Sequence, residues 1–289
     1  MSDFRTNISK KLKEERPNIT DQSTKTYAST LYNLNKKMEG KHELDFFNNH
    51  EEIIKFINEK IPSKQTKKTL LSALYILTKS KEYHADMITI CKQVNDSYKE
   101  QKLTDKQKEH RISFDEVKDK VDLLRASLKI HKTKEAYELF LIAAFSSGVY
   151  SPPRRAEFAN IKVRNYDKTK DNFLHKNTII FNSFKTVKKF GSQEYKIAPE
   201  LLPILKKYLT MNTSDFLFPK QDGKTSMTNV DYNRACQRAF GKNISVDALR
   251  SIYLSNKYKD VPAMLDMEKT AIAMGHSVGT ALTDYVKKE

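Results

Sequence analysis

Apolar residues recur at helical spacing along the first hundred residues. Four apolar residues spaced i, i+4, i+7 and i+11 predict one face of a helix: Tyr27, Leu31, Leu34 and Met38. The helix is expected to begin at the polar stretch Asp21–Ser23. Isoleucines between residues 53 and 61 predict a second helix that ends at Pro62, and leucines between 70 and 77 predict a third that begins after Ser63. We therefore expect residues 1–100 to form a small helical domain, followed by a linker over 101–111. The almost wholly polar stretch 93–111 is typical of a linker or of an exposed helix that joins two domains.

The pattern restarts after the linker and predicts a second domain over 112–289. An amphipathic helix over 113–128 precedes a segment, 136–148, that is apolar on nearly every face, as a buried central helix should be. Strand-like runs at 178–181 and 195–198 flank a polar connection and predict a hairpin. Helices are predicted again over 201–209, 229–240, 246–257 and 263–274. The fold class is therefore mainly α with a small β-sheet.

Charge adds a functional indication to this fold. The 289 residues include 52 Lys and Arg against 36 Asp and Glu, a net charge of +16 that is spread over both halves of the chain. Such a field favours a polyanionic partner, and nucleic acid is the main expectation. A lysine-rich solvated surface would be the ordinary alternative.

Other classes of protein are disfavoured by composition. No stretch approaches the roughly 18 consecutive apolar residues of a membrane span, and the polar N-terminus does not resemble a secretory signal. The two cysteines, Cys91 and Cys236, lie far apart without neighbours at metal-ligand spacing. We expect an intracellular protein, in the cytoplasm or nucleus of a host cell, without a metal or cofactor.

Several short motifs in the second region carry candidate chemistry. Arg154 and Glu157 follow the apolar helix and a Pro-Pro pair, and Lys185-Thr186 lies in the predicted hairpin connection. Further along the chain come three more elements in a fixed order: Asp247-x-x-Arg250, Gly275-His276, and Tyr285 nine residues after His276.

The order and spacing of these motifs resemble the tyrosine recombinase (phage integrase) family, whose catalytic domain is shared with type IB topoisomerases. The resemblance implies a helical core-binding domain over 1–100 and a mixed α/β catalytic domain over 112–289. It also implies double-stranded DNA as the partner, with self-association as a dimer or tetramer on the DNA. A viral or mobile-element source is a further expectation.

The resemblance assigns a role to each motif. Arg154, Arg250 and His276 would stabilise the charge that develops on the phosphate oxygens. Tyr285 would attack the phosphate and form a 3′-phosphotyrosine, while Lys185 would protonate the leaving oxygen. Glu157 would orient an active-site side chain, and no metal is needed.

One position departs from the family pattern, because Asp247 stands where the family usually has histidine or lysine. A carboxylate repels phosphate, so either a nearby donor such as Lys242 replaces it, or the enzyme is slow, or Asp247 holds Arg250 or a hydroxyl in place. The leading hypothesis is a site-specific recombinase or integrase. A type IB topoisomerase is the runner-up, and a catalytically decayed recombinase that only binds DNA is the third reading, based on Asp247 and the few residues after Tyr285.

Overall fold

The computed structural model describes residues 3–109, 111–154, 156–241, 243–275, 277–280 and 282. Contacts divide the described chain into two units. The first contains the residues up to Lys102 together with those from Pro262 onward, and the second runs from Leu103 to Val261. The predicted domain boundaries stay predictions.

The described residues are mainly helical with one three-stranded antiparallel sheet, which confirms the predicted fold class. The α-helices are α1 (Asp3–Glu15), α2 (Asp21–Lys37), α3 (His50–Lys60), α4 (Lys64–Thr78), α5 (Lys81–Lys99), α6 (Asp105–Glu109), α7 (Phe114–Ser127), α8 (Lys134–Ser147), α9 (Val187–Phe190), α10 (Leu202–Met211), α11 (Asn229–Phe240), α12 (Val246–Lys257), α13 (Met264–Ala273) and α14 (Val278–Thr280). The strands are β1 (Phe173–His175), β2 (Thr178–Phe181) and β3 (Gln193–Lys196).

Side-chain caps set where the predicted helices begin. Thr20 and Ser63 accept hydrogen bonds from backbone N–H groups in the first turns of α2 and α4, and Ser113 forms a reciprocal capping box with Glu116 at α7. The helices predicted from residues 21, 53 and 63 are confirmed as α2, α3 and α4.

Among the unpredicted helices of the first unit, α1 and α5 are the two long ones. In α1, Phe4, Ile8 and Leu12 are buried at helical spacing within an otherwise charged segment. In α5 only Tyr83 and Val94 are buried, so its apolar face is too sparse to stand out in the sequence. Both helices are formed because neighbouring helices cover these few apolar side chains.

The second unit is built around α8. Every residue from Phe140 to Ser147 is buried, as the apolar segment predicts. Helices α7, α10, α11 and α12 all contact α8, so it forms the centre of the core. This central helix ends at Gly148, in the left-handed conformation.

The sheet confirms the hairpin and corrects one of its strands. β2 pairs with β3 in the register Ile179↔Tyr195 and Phe181↔Gln193. The second strand covers 193–196 instead of the predicted 195–198, because Pro199 begins a 3₁₀ turn directly after Ala198. The third strand, β1, was not predicted because its three residues are too few to show a period.

The helix predicted from Arg154 to about residue 161 is wrong in its type and start. The structure has a short 3₁₀ helix over Ala156–Asn160, and Arg154 precedes it. Pro152 and Pro153 lie just before, and proline cannot donate the backbone hydrogen bonds of a helix interior. Arg154 therefore lies in an irregular segment between α8 and the 3₁₀ helix.

Candidate active site

Four of the predicted site residues line one cleft of the second unit, with a volume of about 720 Å³. They are Arg154, Glu157, Lys185 and Arg250. The fifth, Asp247, lies one helical turn before Arg250 on α12. His276 and Tyr285 lie outside the described residues, so their predicted roles stay predictions.

The Arg154 side chain is held on several sides. Its Nη1 donates a hydrogen bond of 2.6 Å to Oε1 of Gln193 on β3. Its guanidinium carbon lies 4.2 Å from the ring centroid of Phe181 and 5.0 Å from that of Phe184, which is cation–π distance. Its Nε lies 3.9 Å from a carboxylate oxygen of Glu157.

The electrostatic setting of Arg154 shows that positive charge is concentrated in the cleft. Burial lowers the pKa of its guanidinium, Glu157 raises it, and the nearby Arg250 lowers it. Only 20% of the Arg154 side chain is exposed, and its Nε is buried without a hydrogen-bond partner. Two cations brought together in a partly buried cleft repel each other, and an anion between them would relieve that repulsion.

Arg250 reaches the cleft because α12 is fixed against the core. Ser245 caps the helix by accepting from the N–H of Ala248, and Leu249 and Ile252 are buried on its inner face. Tyr253 packs against Gly148, where an added Cβ would lie 2.4 Å from the tyrosine ring. The end of α8 therefore sets the position of the helix that presents Arg250.

Asp247 pairs with Arg250 at 3.3 Å, between carboxylate Oδ1 and guanidinium Nη1. Its side chain is 76% exposed, so the pair is open to solvent and contributes little to stability. Its place in the first turn also suits a carboxylate, because the helix N-terminus is electropositive. Lys242, the alternative donor considered for this position, lies outside the described residues.

Lys185 lies on the rim of the cleft in the connection between β2 and β3. The side chain is exposed, and the connection continues through Thr186 into α9. Phe184, one residue earlier, contacts the Arg154 guanidinium. The backbone therefore places this lysine on the same cleft as the two arginines, with its side chain exposed to solvent.

Sequence reasoning missed Gln193, Phe181 and Phe184, all of which contact Arg154. Phe181 was noted only as a strand residue and Gln193 only as part of a polar connection. No local pattern marks these contacts, because each depends on the hairpin folding back over the segment after α8. The register Phe181↔Gln193 would have been the usable signal, had both strand boundaries been predicted correctly.

The described residues contain no group of three or more His, Cys, Asp or Glu side chains arranged to bind a metal ion. None of the helices in this part of the chain combines the length and hydrophobicity needed to cross a bilayer.

Comparisons with known proteins find similarity among solved structures. No family model matches the chain, and no curated protein matches it. Among solved structures, the crystal structure of XerA recombinase is similar, with a TM-score of 0.36 and 16% sequence identity. The alignment covers 99% of this chain and 95% of that one.

Proposed function

We propose that the chain is a DNA strand transferase of the tyrosine recombinase type, which cleaves and rejoins DNA through a 3′-phosphotyrosine and serves site-specific recombination or integration. The observation that carries the proposal is the meeting of Arg154 and Arg250 in one cleft, although they lie far apart in the sequence. Lys185 on the same rim supplies a third cation.

The two arginines suit a phosphodiester undergoing substitution. As the nucleophile approaches, negative charge grows on the non-bridging oxygens, and guanidinium groups offer paired N–H donors to such oxygens. Because the Phe181 ring and Gln193 already hold Arg154, little reorganisation is needed when that charge develops. The cleft thus favours the transition state over the ground state.

The remaining steps come from the motifs. The Tyr285 oxygen attacks phosphorus, its proton passes to solvent or a nearby base, and the bond from phosphorus to the 5′-oxygen breaks. Lys185 gives a proton to that leaving oxygen. Rejoining is the reverse: the 5′-hydroxyl attacks the phosphotyrosine, and Tyr285 leaves. His276 donates a hydrogen bond to the phosphate.

One observation favours a second candidate, a DNA-binding protein that has lost cleavage. The Asp247 carboxylate occupies a donor of Arg250 that the phosphate would otherwise use. A type IB topoisomerase would use the same residues and differ in its product. The experiment below separates the three.

The test is covalent capture on DNA. Duplexes with a randomised centre carry a nick that lets the short fragment with the newly released 5′-hydroxyl diffuse away. They are incubated with the protein, and denaturant-resistant adducts are recovered and sequenced. We expect adducts with the parent chain and none with Tyr285→Phe. Tyr258→Phe, a change at an exposed tyrosine, is the matched control and should react like the parent.

The outcomes distinguish the candidates. Adducts enriched in one sequence support a site-specific recombinase. Relaxation of supercoiled plasmid with adducts of mixed sequence would indicate a topoisomerase, and salt-sensitive binding without adducts would indicate the DNA-binding protein. Adducts that persist in Tyr285→Phe would contradict the assigned nucleophile.

A second test addresses the cleft itself. Arg154→Ala should leave DNA affinity within about threefold, since many other cations hold the duplex, but should slow cleavage by a factor on the order of 10³. Arg234→Ala removes an exposed arginine of α11 outside this cleft and should change cleavage little. If Arg154→Ala lost affinity and cleavage in equal proportion, Arg154 would be a docking residue only.

A further inference from the structure

Gln193 and Phe181 are cross-strand partners that contact the same guanidinium. They face each other in the β2–β3 register. Gln193 accepts a hydrogen bond from Arg154 Nη1, and the Phe181 ring lies 4.2 Å from the guanidinium carbon. This cross-strand pair therefore contacts the Arg154 guanidinium at its edge, through the Gln193 hydrogen bond, and at its face, through the Phe181 ring.

Without the pair of Phe181 and Gln193, little else in the described contacts would orient the guanidinium. Its Nε is buried without a hydrogen-bond partner, and the Glu157 oxygen lies 3.9 Å away, beyond hydrogen-bond distance. The ring contacts restrict the plane of the group but not its rotation within that plane. The 2.6 Å hydrogen bond to Gln193 is the contact that sets this rotation.

The amide also suits this role better than a carboxylate would. A neutral acceptor fixes one donor of Arg154 and leaves the full positive charge available to an anion in the cleft. A glutamate at the same place would form a charge-assisted pair and compete with the phosphate for the guanidinium. The hydrogen bond also ties β3 to Arg154, and β3 is the strand that follows the connection carrying Lys185.

We propose that Gln193 is a positioning residue, which holds the Arg154 guanidinium in the orientation that meets the scissile phosphate. The inference rests on the proposed function for its catalytic consequence. The hydrogen bond itself can be tested whether or not the chain cleaves DNA.

The first measurement follows the Arg154 guanidinium by NMR in protein labelled with ¹⁵N-arginine and free of DNA. A hydrogen-bonded guanidinium rotates slowly about its Cζ–Nη bonds, so separate Nη signals are expected in the parent chain, assigned by their loss in Arg154→Lys. Gln193→Leu should merge them, whereas Gln193→Glu keeps an acceptor and should preserve them. Gln221→Leu, at an exposed glutamine, is the control. Identical Arg154 signals in the parent and Gln193→Leu would overturn the inference.

The second measurement is single-turnover cleavage with the adduct-forming duplex. Gln193→Leu should slow cleavage by about 100-fold, the cost of a misplaced catalytic group, with DNA affinity within about twofold. In an Arg154→Ala background the same change should have no further effect, because Gln193 acts through Arg154. Parent-like cleavage in Gln193→Leu, or an equal loss in both backgrounds, would overturn the positioning role.

The two failures are distinguishable. If the parent chain forms no adduct, the proposed function is wrong, while the NMR comparison still decides whether Gln193 holds Arg154. If the parent cleaves and Gln193→Leu cleaves equally fast, the function stands and the inference about Gln193 is wrong.

Discussion

The close packing of Gly148 against Tyr253 leads to a prediction that links stability to the active site. Gly148 ends α8 with a φ of +85°, a conformation that L side chains rarely adopt. A Cβ at this position would lie 2.4 Å from Tyr253 Cδ2 and 2.9 Å from Cγ. Gly148→Ala should therefore be strongly destabilising and should displace α12, which carries Arg250.

The expected magnitude has two parts. A non-glycine residue in the left-handed region costs about 1–2 kcal/mol, of which up to about 1 kcal/mol is offset because alanine restricts the unfolded chain more than glycine does. The clash with the tyrosine ring adds an overpacking cost of about 1–3 kcal/mol. We expect a total loss of about 1–5 kcal/mol in the free energy of unfolding.

A matched control isolates the clash from the backbone strain. Gly223 has a φ of +68°, and an added Cβ there would meet nothing within 4 Å. Gly223→Ala should therefore cost only about 1 kcal/mol, the backbone part alone. The assay is urea unfolding of the parent and both variants, followed by circular dichroism, with midpoints compared at equal slope.

The cleavage assay then tests the link to Arg250. Gly148→Ala should slow adduct formation well below the rate of Gly223→Ala at a temperature where both variants are folded. Adding Tyr253→Ala removes the ring atoms that clash, so Gly148→Ala should cost less stability in that background than in the parent. Equal destabilisation by Gly148→Ala and Gly223→Ala would refute the packing argument.

Three further outcomes are expected. Asp247→Asn removes the negative charge that competes with phosphate for Arg250 and should raise single-turnover cleavage several-fold; a strong loss would show that the carboxylate has a structural role. Burial raises the pKa of Glu138, whose carboxylate accepts a hydrogen bond from Tyr208. The folded protein therefore favours the protonated form of Glu138. The resulting stability is fully present below the pKa of the unfolded chain and is lost as pH rises through the pKa of the folded protein. Glu138→Gln should therefore stabilise the protein more at pH 7 than at pH 4, measured as the difference in urea midpoint from the parent chain at each pH. DNA affinity should fall steeply with salt, with a log–log slope of several units in a binding titration, and a flat dependence would contradict nucleic-acid binding.

The positions of the helices were largely readable from the sequence because their signals are local. α11 and α12 have the bounds predicted for them, 229–240 and 246–257, and Thr228 and Ser245 cap their first turns. The buried α8 was evident from its composition alone. The motifs at Arg154, Lys185 and Arg250 were also local, since each is a short pattern of residue types whose order along the chain suggested a common site.

The site itself was decided by tertiary structure. Arg154 and Arg250 share a cleft only because α12 packs on α8 through Gly148 and Tyr253. Gln193 faces Arg154 only because the hairpin returns over the segment after α8. Periodicity and capping act over a few residues and leave their mark in the sequence. Contacts between distant segments depend on how the whole core packs, and no short pattern of residues records them.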